Sequence, residues 1–314
     1  MERELALPAA PPVAEGRGPS LERRATLWLL LLTTVWGSSF FSMKRGIAGM
    51  EPFVGAAAAP TAFLLFRFTL AAALYPLLFP RALKRLDRRT VLDGLLLAVP
   101  FYVGFVLQVS GLPRTTATVS AFLTNLTVIS TPLVGRLFFR EALRLRVLAG
   151  AALALAGVAI LTNPGGGGLG WGEVLTAASA LAFAFQVQGT NRVTRRSDPE
   201  AVTFVMFLAA VVLSAATLLV LRVPPGAFAD SLGGRDVLWT GLLNAVLCSV
   251  LAITLMNRWQ REITPTRAVV IYCLEPVFAA ILAAAFGGES LTWRVWVGGA
   301  VILSGNWLCE WRRS

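Results

Sequence analysis

Residues 264–289 read TPTRAVVIYCLEPVFAAILAAAFGGE, a long apolar run that ends at Glu289 and has one carboxylate inside it, Glu275, followed at once by Pro276. No other acidic residue of the chain has so much apolar sequence on both sides. At mid-bilayer a charge costs about 2.5–3.5 kcal/mol on insertion scales, so a carboxylate kept there marks a candidate functional site. Whether this run is a membrane span depends on the rest of the chain.

The 314 residues are 56% hydrophobic and only 14% charged, with a mean hydropathy of +0.70. Soluble domains carry about 25% charged residues, so the composition is that of a polytopic membrane protein. The net charge of +11 does not indicate nucleic acid, because the basic residues fall in short gaps between apolar runs. The chain has no histidine, which removes the commonest metal ligand and the usual general base. Cys248, Cys273 and Cys309 lie in apolar runs without CxxC spacing and read as small packing residues. No metal or cofactor is expected.

A span needs about 20 mostly apolar residues. Ten such stretches are expected, near 26–42, 60–79, 91–110, 116–138, 146–162, 171–189, 201–221, 237–257, 268–286 and 294–310. Residues 1–24, polar with Pro11 and Pro12, read as a disordered tail. The first span follows Arg23 and Arg24 without a small-residue cleavage site and reads as uncleaved. With the N-terminus in the cytoplasm, 21 of the 28 basic residues fall in cytoplasmic segments and 6 on the other side, with Arg67 inside a span. That bias predicts two cytoplasmic termini.

The chain also repeats itself. A shift of 148 residues lays spans four and five on spans nine and ten without a gap. Glu141 meets Glu289, Arg146 and Val147 meet Arg294 and Val295, Gly150 meets Gly298, and Gly157 meets Gly305. The predicted organisation is an all-α integral membrane protein with two five-span repeats, 25–162 and 171–314, joined by a loop at 163–170. Because five is odd, the second repeat starts on the opposite face, which is the inverted-repeat plan of many secondary transporters.

These residues resemble the EamA-like family of the drug/metabolite transporter superfamily. The resemblance rests on Trp36-Gly37-Ser38-Ser39-Phe40 with Lys44, on Arg67-Phe68, and on Thr131-Pro132-Leu133 leading to Phe139-Arg140-Glu141, Gly150 and Gly157. In the second half it rests on Leu274-Glu275-Pro276-Val277-Phe278 leading to Gly288-Glu289, Gly298 and Gly305. It implies ten helices, inverted halves, cytoplasmic termini and transport, often export, of small metabolites. One departure is visible: residues 50–59, MEPFVGAAAA, make a long link between the first two spans.

On a continuous helical wheel, Ala268, Tyr272, Glu275 and Ala279 share one face of span nine. Their repeat equivalents in span four are Ser120, Thr124, Thr127 and Thr131, a hydroxyl stripe. Small and polar residues suit either close helix packing or a cavity wall. Three roles are open to Glu275: binding a cationic or amine group, carrying a proton, or a structural bond to Tyr272 or a neighbouring helix. Pro276, lacking an N–H, is expected to kink the helix beside it. Arg67 lies roughly 8–10 Å from Glu275 in depth, which argues against a direct ion pair. Other candidate substrate-binding residues are Trp36, Ser38, Tyr102, Gln186 and Asn244, with Gln108, Asn125, Gln188 and Asn257 as weaker ones. Glu141 and Glu289 read as helix-end or loop-pairing residues.

Two motifs fail on context. Residues 165–170, GGGGLG, satisfy GxGxxG but follow a membrane run instead of a strand, and no GxxxxGK[ST] is present to support ATP-driven transport. The expectation is therefore a secondary transporter and not an enzyme. It would export small organic metabolites such as amino acids across a bacterial inner membrane by alternating access. Its partners are a small-molecule substrate, the lipid bilayer and, as one option for Glu275, protons; nucleic acid is not among them. The rivals are a membrane-embedded lipid-modifying transferase, which should show histidines or paired carboxylates, and a passive pore.

Overall fold

The computed structural model describes residues 19–139, 145–162, 170–193, 196–259 and 271–310. Among these residues there is no strand, and the described part of each expected span is mostly helical, with turns inside spans four and nine. Six helical segments of the described residues, one of them 117–138 taken through its turn at 125–126, are long and apolar enough to cross a membrane by length and composition.

The first helix, α1 (Pro19–Val54), begins inside the segment expected to be a tail and continues through Glu51 and Pro52, past the expected end of span one. At 1.5 Å per residue it is about 54 Å long and outreaches a 30 Å hydrocarbon core. It stops at Gly55, whose φ of 81° is open to glycine, and the Gly55 N–H returns to Glu51 O at 2.8 Å. The long link at 50–59 is thus mostly helix. Pro60 then opens α2 (Ala59–Leu78) in the first turn, where its missing N–H is harmless.

A short α3 (Pro80–Lys84) leads to α4 (Arg88–Gly111), capped by Asp87, whose carboxylate accepts from Thr90 N at 2.7 Å. Thr116 caps α5 (Ala117–Thr124) in the same way, and α6 (Thr127–Phe139) and α7 (Leu145–Thr162) complete the first half. The second half holds α8 (Trp171–Val193), α9 (Pro199–Val220), α10 (Pro225–Ser231), α11 (Arg235–Leu242), a π-helical stretch Leu243–Leu251, α12 (Ala252–Trp259), α13 (Glu275–Gly287) and α14 (Trp293–Glu310).

The tightest packing joins α7 to α14. A Cβ on Gly157 would lie 2.8 Å from Gly298 O, and one on Gly305 would lie 2.6 Å from Gly150 O. Gly150 pairs with Gly305 and Gly157 with Gly298, so residue numbers run in opposite directions and the helices are antiparallel. These four glycines are the two pairs that coincide in the repeat. Other pairings are also matched under exchange of halves: α4 packs on α8 as α1 packs on α11 and α12, α1 on α13 as α6 on α8, and α2 on α9. An aromatic cluster fills the space between α2, α4 and α9, with Phe68 contacting Phe101, Phe105 and Phe207, and Tyr75 edge-on to Phe207.

Candidate functional site

Spans four and nine are not the continuous helices expected from their hydropathy. Each breaks, and the breaks are repeat equivalents: α5 ends at Thr124, turns through residues 125–126 and resumes as α6 at Thr127. In the second half residues 271–272 are helical, residues 273–274 form a turn, and α13 begins at Glu275. Around both breaks the ladder tightens to i−3 bonds, Val128 N to Asn125 O at 3.1 Å and Leu274 N to Ile271 O at 3.0 Å. Pro276 is therefore not a mid-helix kink. It sits in the first turn of α13, a position proline favours. Nor does proline alone make the break, because the first half has Val128 at the equivalent place. There the side chains contribute: Thr127 Oγ1 donates to Thr124 O at 2.7 Å and to Ala180 O of α8 at 3.3 Å, and the Asn306 amide donates to Asn125 Oδ1.

The break at Glu275 is pressed against the middle of α1. A Cβ on Gly37 would lie 2.8 Å from Ala279 N, 2.9 Å from Phe278 Cβ and 3.1 Å from Glu275 O. Glycine there lets the two backbones touch. The neighbouring Trp36 has its ring 5.9 Å from that of Tyr272 and donates its Nε1–H to Cys248 O at 3.1 Å. Cys248 belongs to the π-helical stretch, a geometry that recurs at functional sites. Trp36, Tyr272 and Glu275 are thus gathered where α1, the π-helix and the break of span nine meet. Glu275 itself is half-buried, and among the described residues its carboxylate has no hydrogen-bond or ion-pair partner.

The remaining expected site residues fall into separate places. Thr124 and Thr127 flank the first break, and Thr124 accepts from Gln108 Nε2 at 3.1 Å. Thr131 donates to Thr127 O, whereas Ser120 is fully buried with no hydrogen-bond partner for its hydroxyl among the described residues. Ser38 bonds Val35 O within its own helix. Tyr102 bonds Thr217 of α9 at 2.8 Å, and Gln186 bonds Thr190 one turn on. Gln188 Nε2 reaches Thr131 O. Asn244 is completely buried between α1 and the start of the π-helix, donating to Ser42 Oγ and Thr240 O, both at 2.9 Å. Glu141 and the Asn257 side chain lie outside the described residues.

Arg67 makes no ion pair with Glu275. Its Nε donates to Ser249 Oγ at 2.9 Å, its Nη1 meets Met43 Sδ, and the guanidinium lies 4.8 Å from the Phe105 ring centroid. Glu289 closes one end of the bundle. Gly288, at φ 69°, ends α13 in the left-handed region and turns Glu289 towards α5. The carboxylate there accepts from Ala117 N at 2.6 Å, from Thr118 N at 3.2 Å and from Thr118 Oγ1 at 2.8 Å. Lys44 Nζ donates to Thr115 O, and Thr115 Oγ1 to Glu173, so α1 and α8 hold the same segment. The π-helix, the Glu289 cap and the Lys44 contact carry no strong local sequence signal. Only the repeat pairing of Glu289 with Glu141 pointed to a helix-end role.

The EamA-like transporter family matches residues 23–163 and again 170–309, nearly the whole chain. The chain belongs to the EamA-like transporter family. It is similar to an uncharacterized transporter of Archaeoglobus fulgidus, 29% identical over 281 residues, covering 89% of this chain and 83% of that one. It is also similar to the uncharacterized inner membrane transporter YedA of Escherichia coli K12, 29% identical over 287 residues, covering 88% of this chain and 87% of YedA. A solved crystal structure shares the fold, with a TM-score of 0.62 at 20% identity over 91% of this chain and 95% of the other. As an EamA-like protein with several apolar spanning helices, this is a multi-pass membrane protein of a transporter family.

Proposed function

We propose that this EamA-like protein is a secondary transporter of small organic metabolites, amino acids among them, that exports its substrate across a bacterial inner membrane by alternating access. On this reading ten helices cross the membrane as two inverted repeats, 25–162 and 171–314, linked at 163–170, with both termini in the cytoplasm. The antiparallel glycine seam and the exchange-matched helix pairs support the inverted plan.

The observation that carries the site is the pair of repeat-equivalent breaks, one of which holds a carboxylate with no partner among the described residues. At each break the helix ladder tightens to i−3 bonds, a local geometry that often marks a functional hinge. Glu275 then takes an ammonium group of the substrate or a proton, with Trp36 and Tyr272 as the aromatic wall beside it. The other candidate binding residues on this reading are Thr124 and Thr127 at the first break, with Ser38, Tyr102, Gln186 and Asn244, each of which bonds a neighbour other than Glu275.

The test is purified protein in proteoliposomes with labelled amino acids and related metabolites, with and without a pH gradient. Saturable uptake and counterflow distinguish a carrier from a pore. Absence of transport for the whole panel, or non-saturable flux, would overturn the reading.

A further inference from the structure

Away from the helix breaks, the start of α4 and the α8–α9 connection enclose an open pocket of ≈ 680 Å³, lined by Arg88, Arg89, Leu92, Asp93, Leu96 and Arg196. Its floor is a fixed ion pair. Asp93 is buried and takes two hydrogen bonds from Arg196, with the Arg196 Nε bond at 2.9 Å, and a third from Ser197 Oγ at 2.7 Å. The Asp93 hydrogen bonds come from Arg196 and Ser197, and Arg89 adds only a longer-range attraction. Arg88 and Arg89 are exposed and have no ion-pair partner among the described residues. Among the lining residues three arginines stand against one aspartate, with Asp87 just outside the lining before Arg88.

The apolar part of the pocket continues outwards along α4. Leu92, Leu95, Leu96, Val99 and Val103 are all exposed and form one stripe below Arg88, whereas Leu97, Ala98, Phe101 and Gly104 face the protein. From Leu92 to Val103 the stripe is about 16 Å long, close to the depth of one leaflet of a 30 Å core. In a bilayer an acyl chain must cover such a stripe, and a chain lying along it delivers its headgroup to the arginines.

We infer that this pocket is a binding site for an anionic phospholipid, with its phosphate held by Arg88 and Arg89 above the Asp93–Arg196 pair and one acyl chain along the α4 stripe. The site is independent of the transport reading, since none of its residues belongs to the helix breaks. The ligand chemistry is a phosphodiester carrying net negative charge; a zwitterionic headgroup places its own cation beside the arginines and is disfavoured.

Native mass spectrometry on full-length protein released from mixed phosphatidylglycerol and phosphatidylcholine nanodiscs tests this. Wild type is expected to retain phosphatidylglycerol over phosphatidylcholine by about tenfold or more. The exposed-residue variant Arg88→Gln/Arg89→Gln is expected to lose that preference and the thermal stabilisation that added phosphatidylglycerol gives wild type. The control Arg81→Gln/Lys84→Gln removes two equally exposed charges outside the pocket and is expected to keep both. Equal loss in the control would reduce the effect to general surface charge and overturn the site. Displacement of the retained lipid by millimolar glycerol phosphate would assign the pocket to a soluble phosphate ester, and overturn it equally.

Discussion

The two helix breaks are built at the same repeat position and differ in what they leave unsatisfied. At residues 125–126 the polar groups serve one another: Thr127 bonds Thr124 O and Ala180 O, Gln108 bonds Thr124, and Asn306 bonds Asn125. At residues 273–274 the position of Thr127 is taken by Glu275, whose carboxylate has no partner among the described residues, and the position of Thr124 by Tyr272 against Trp36. One break is satisfied by neighbouring helices; the other presents a carboxyl group with no partner among the described residues. A polar group at membrane depth without a partner is expensive even when half-buried, so its retention points to a ligand or proton that satisfies it in the working cycle.

The sharpest way to break this comparison is to remove the difference. Glu275→Gln is isosteric, and it is expected to lower transport on the order of 100-fold, equivalent to about 2.7 kcal/mol, while membrane expression stays at wild-type level. Thr127→Val removes one hydroxyl with two local acceptors, and its effect is expected to be about 1 kcal/mol, a several-fold loss. Both are read as initial rates in proteoliposomes at matched protein. Wild-type rates for Glu275→Gln, or equal losses for the two variants, would remove the asymmetry and with it the site assignment.

The symmetric part of the molecule makes the opposite prediction, that equivalent changes act alike. Gly157→Ala puts a Cβ 2.7 Å from Ile302 N, and Gly305→Ala puts one 2.6 Å from Gly150 O, in both cases against backbone that cannot rotate away. Each is expected to cost about 1–3 kcal/mol through forced separation of α7 and α14. The two thermal unfolding midpoints in detergent should fall by similar amounts. A large drop for one and none for the other would show that the seam is not the two-fold contact described.

Much of this was legible in the sequence, and the rest was not for identifiable reasons. Hydropathy located the helices because apolar runs of span length have few other uses, and the gapless shift picked out the four seam glycines, Gly150, Gly157, Gly298 and Gly305. Glu275 stood out because an isolated charge in an apolar run is costly. The breaks were hidden, since Val128 gives no sign of one and Pro276 invites the reading of a kink. What creates the first break is tertiary, the bonds to Ala180 and Asn306. The wheel drawn through an unbroken span nine therefore put Tyr272 and Glu275 on one continuous face, whereas the turn at 273–274 lies between them. Asn244 failed to join them because apolar context does not say which face of a helix is packed, and a π-helix shifts that face without a local marker.

Smaller effects come from the devices that join or cap the halves. Glu289 of the second half caps α5 of the first, so Glu289→Ala leaves the N–H groups of Ala117 and Thr118 without their acceptor. Loss of such a cap is expected to cost about 0.5–2 kcal/mol. Hydrogen exchange should report it as faster exchange confined to the first turn of α5; unchanged protection there would mean that water replaces the carboxylate without loss.

The smallest predicted effect compares the starts of α4 and α11. Asp87 caps α4, while α11 starts at Gly234 without a side-chain cap. The Asp87 carboxyl is held below the usual carboxylate range by hydrogen bonding from Thr90, from its hydroxyl and then from its backbone N–H. A depressed folded value means that the cap contributes fully above the unfolded value of about 3.9. Its contribution is then lost as pH falls through the lower folded value. Acidification from pH 6 to below about pH 4 should therefore speed exchange in the first turn of α4 more than in that of α11. Asp87→Asn keeps a good cap that does not titrate, and should abolish the difference. If the α4 turn responds to acid as strongly in Asp87→Asn as in wild type, the pH sensitivity belongs to another group, and the contrast between the two helix starts is only geometric.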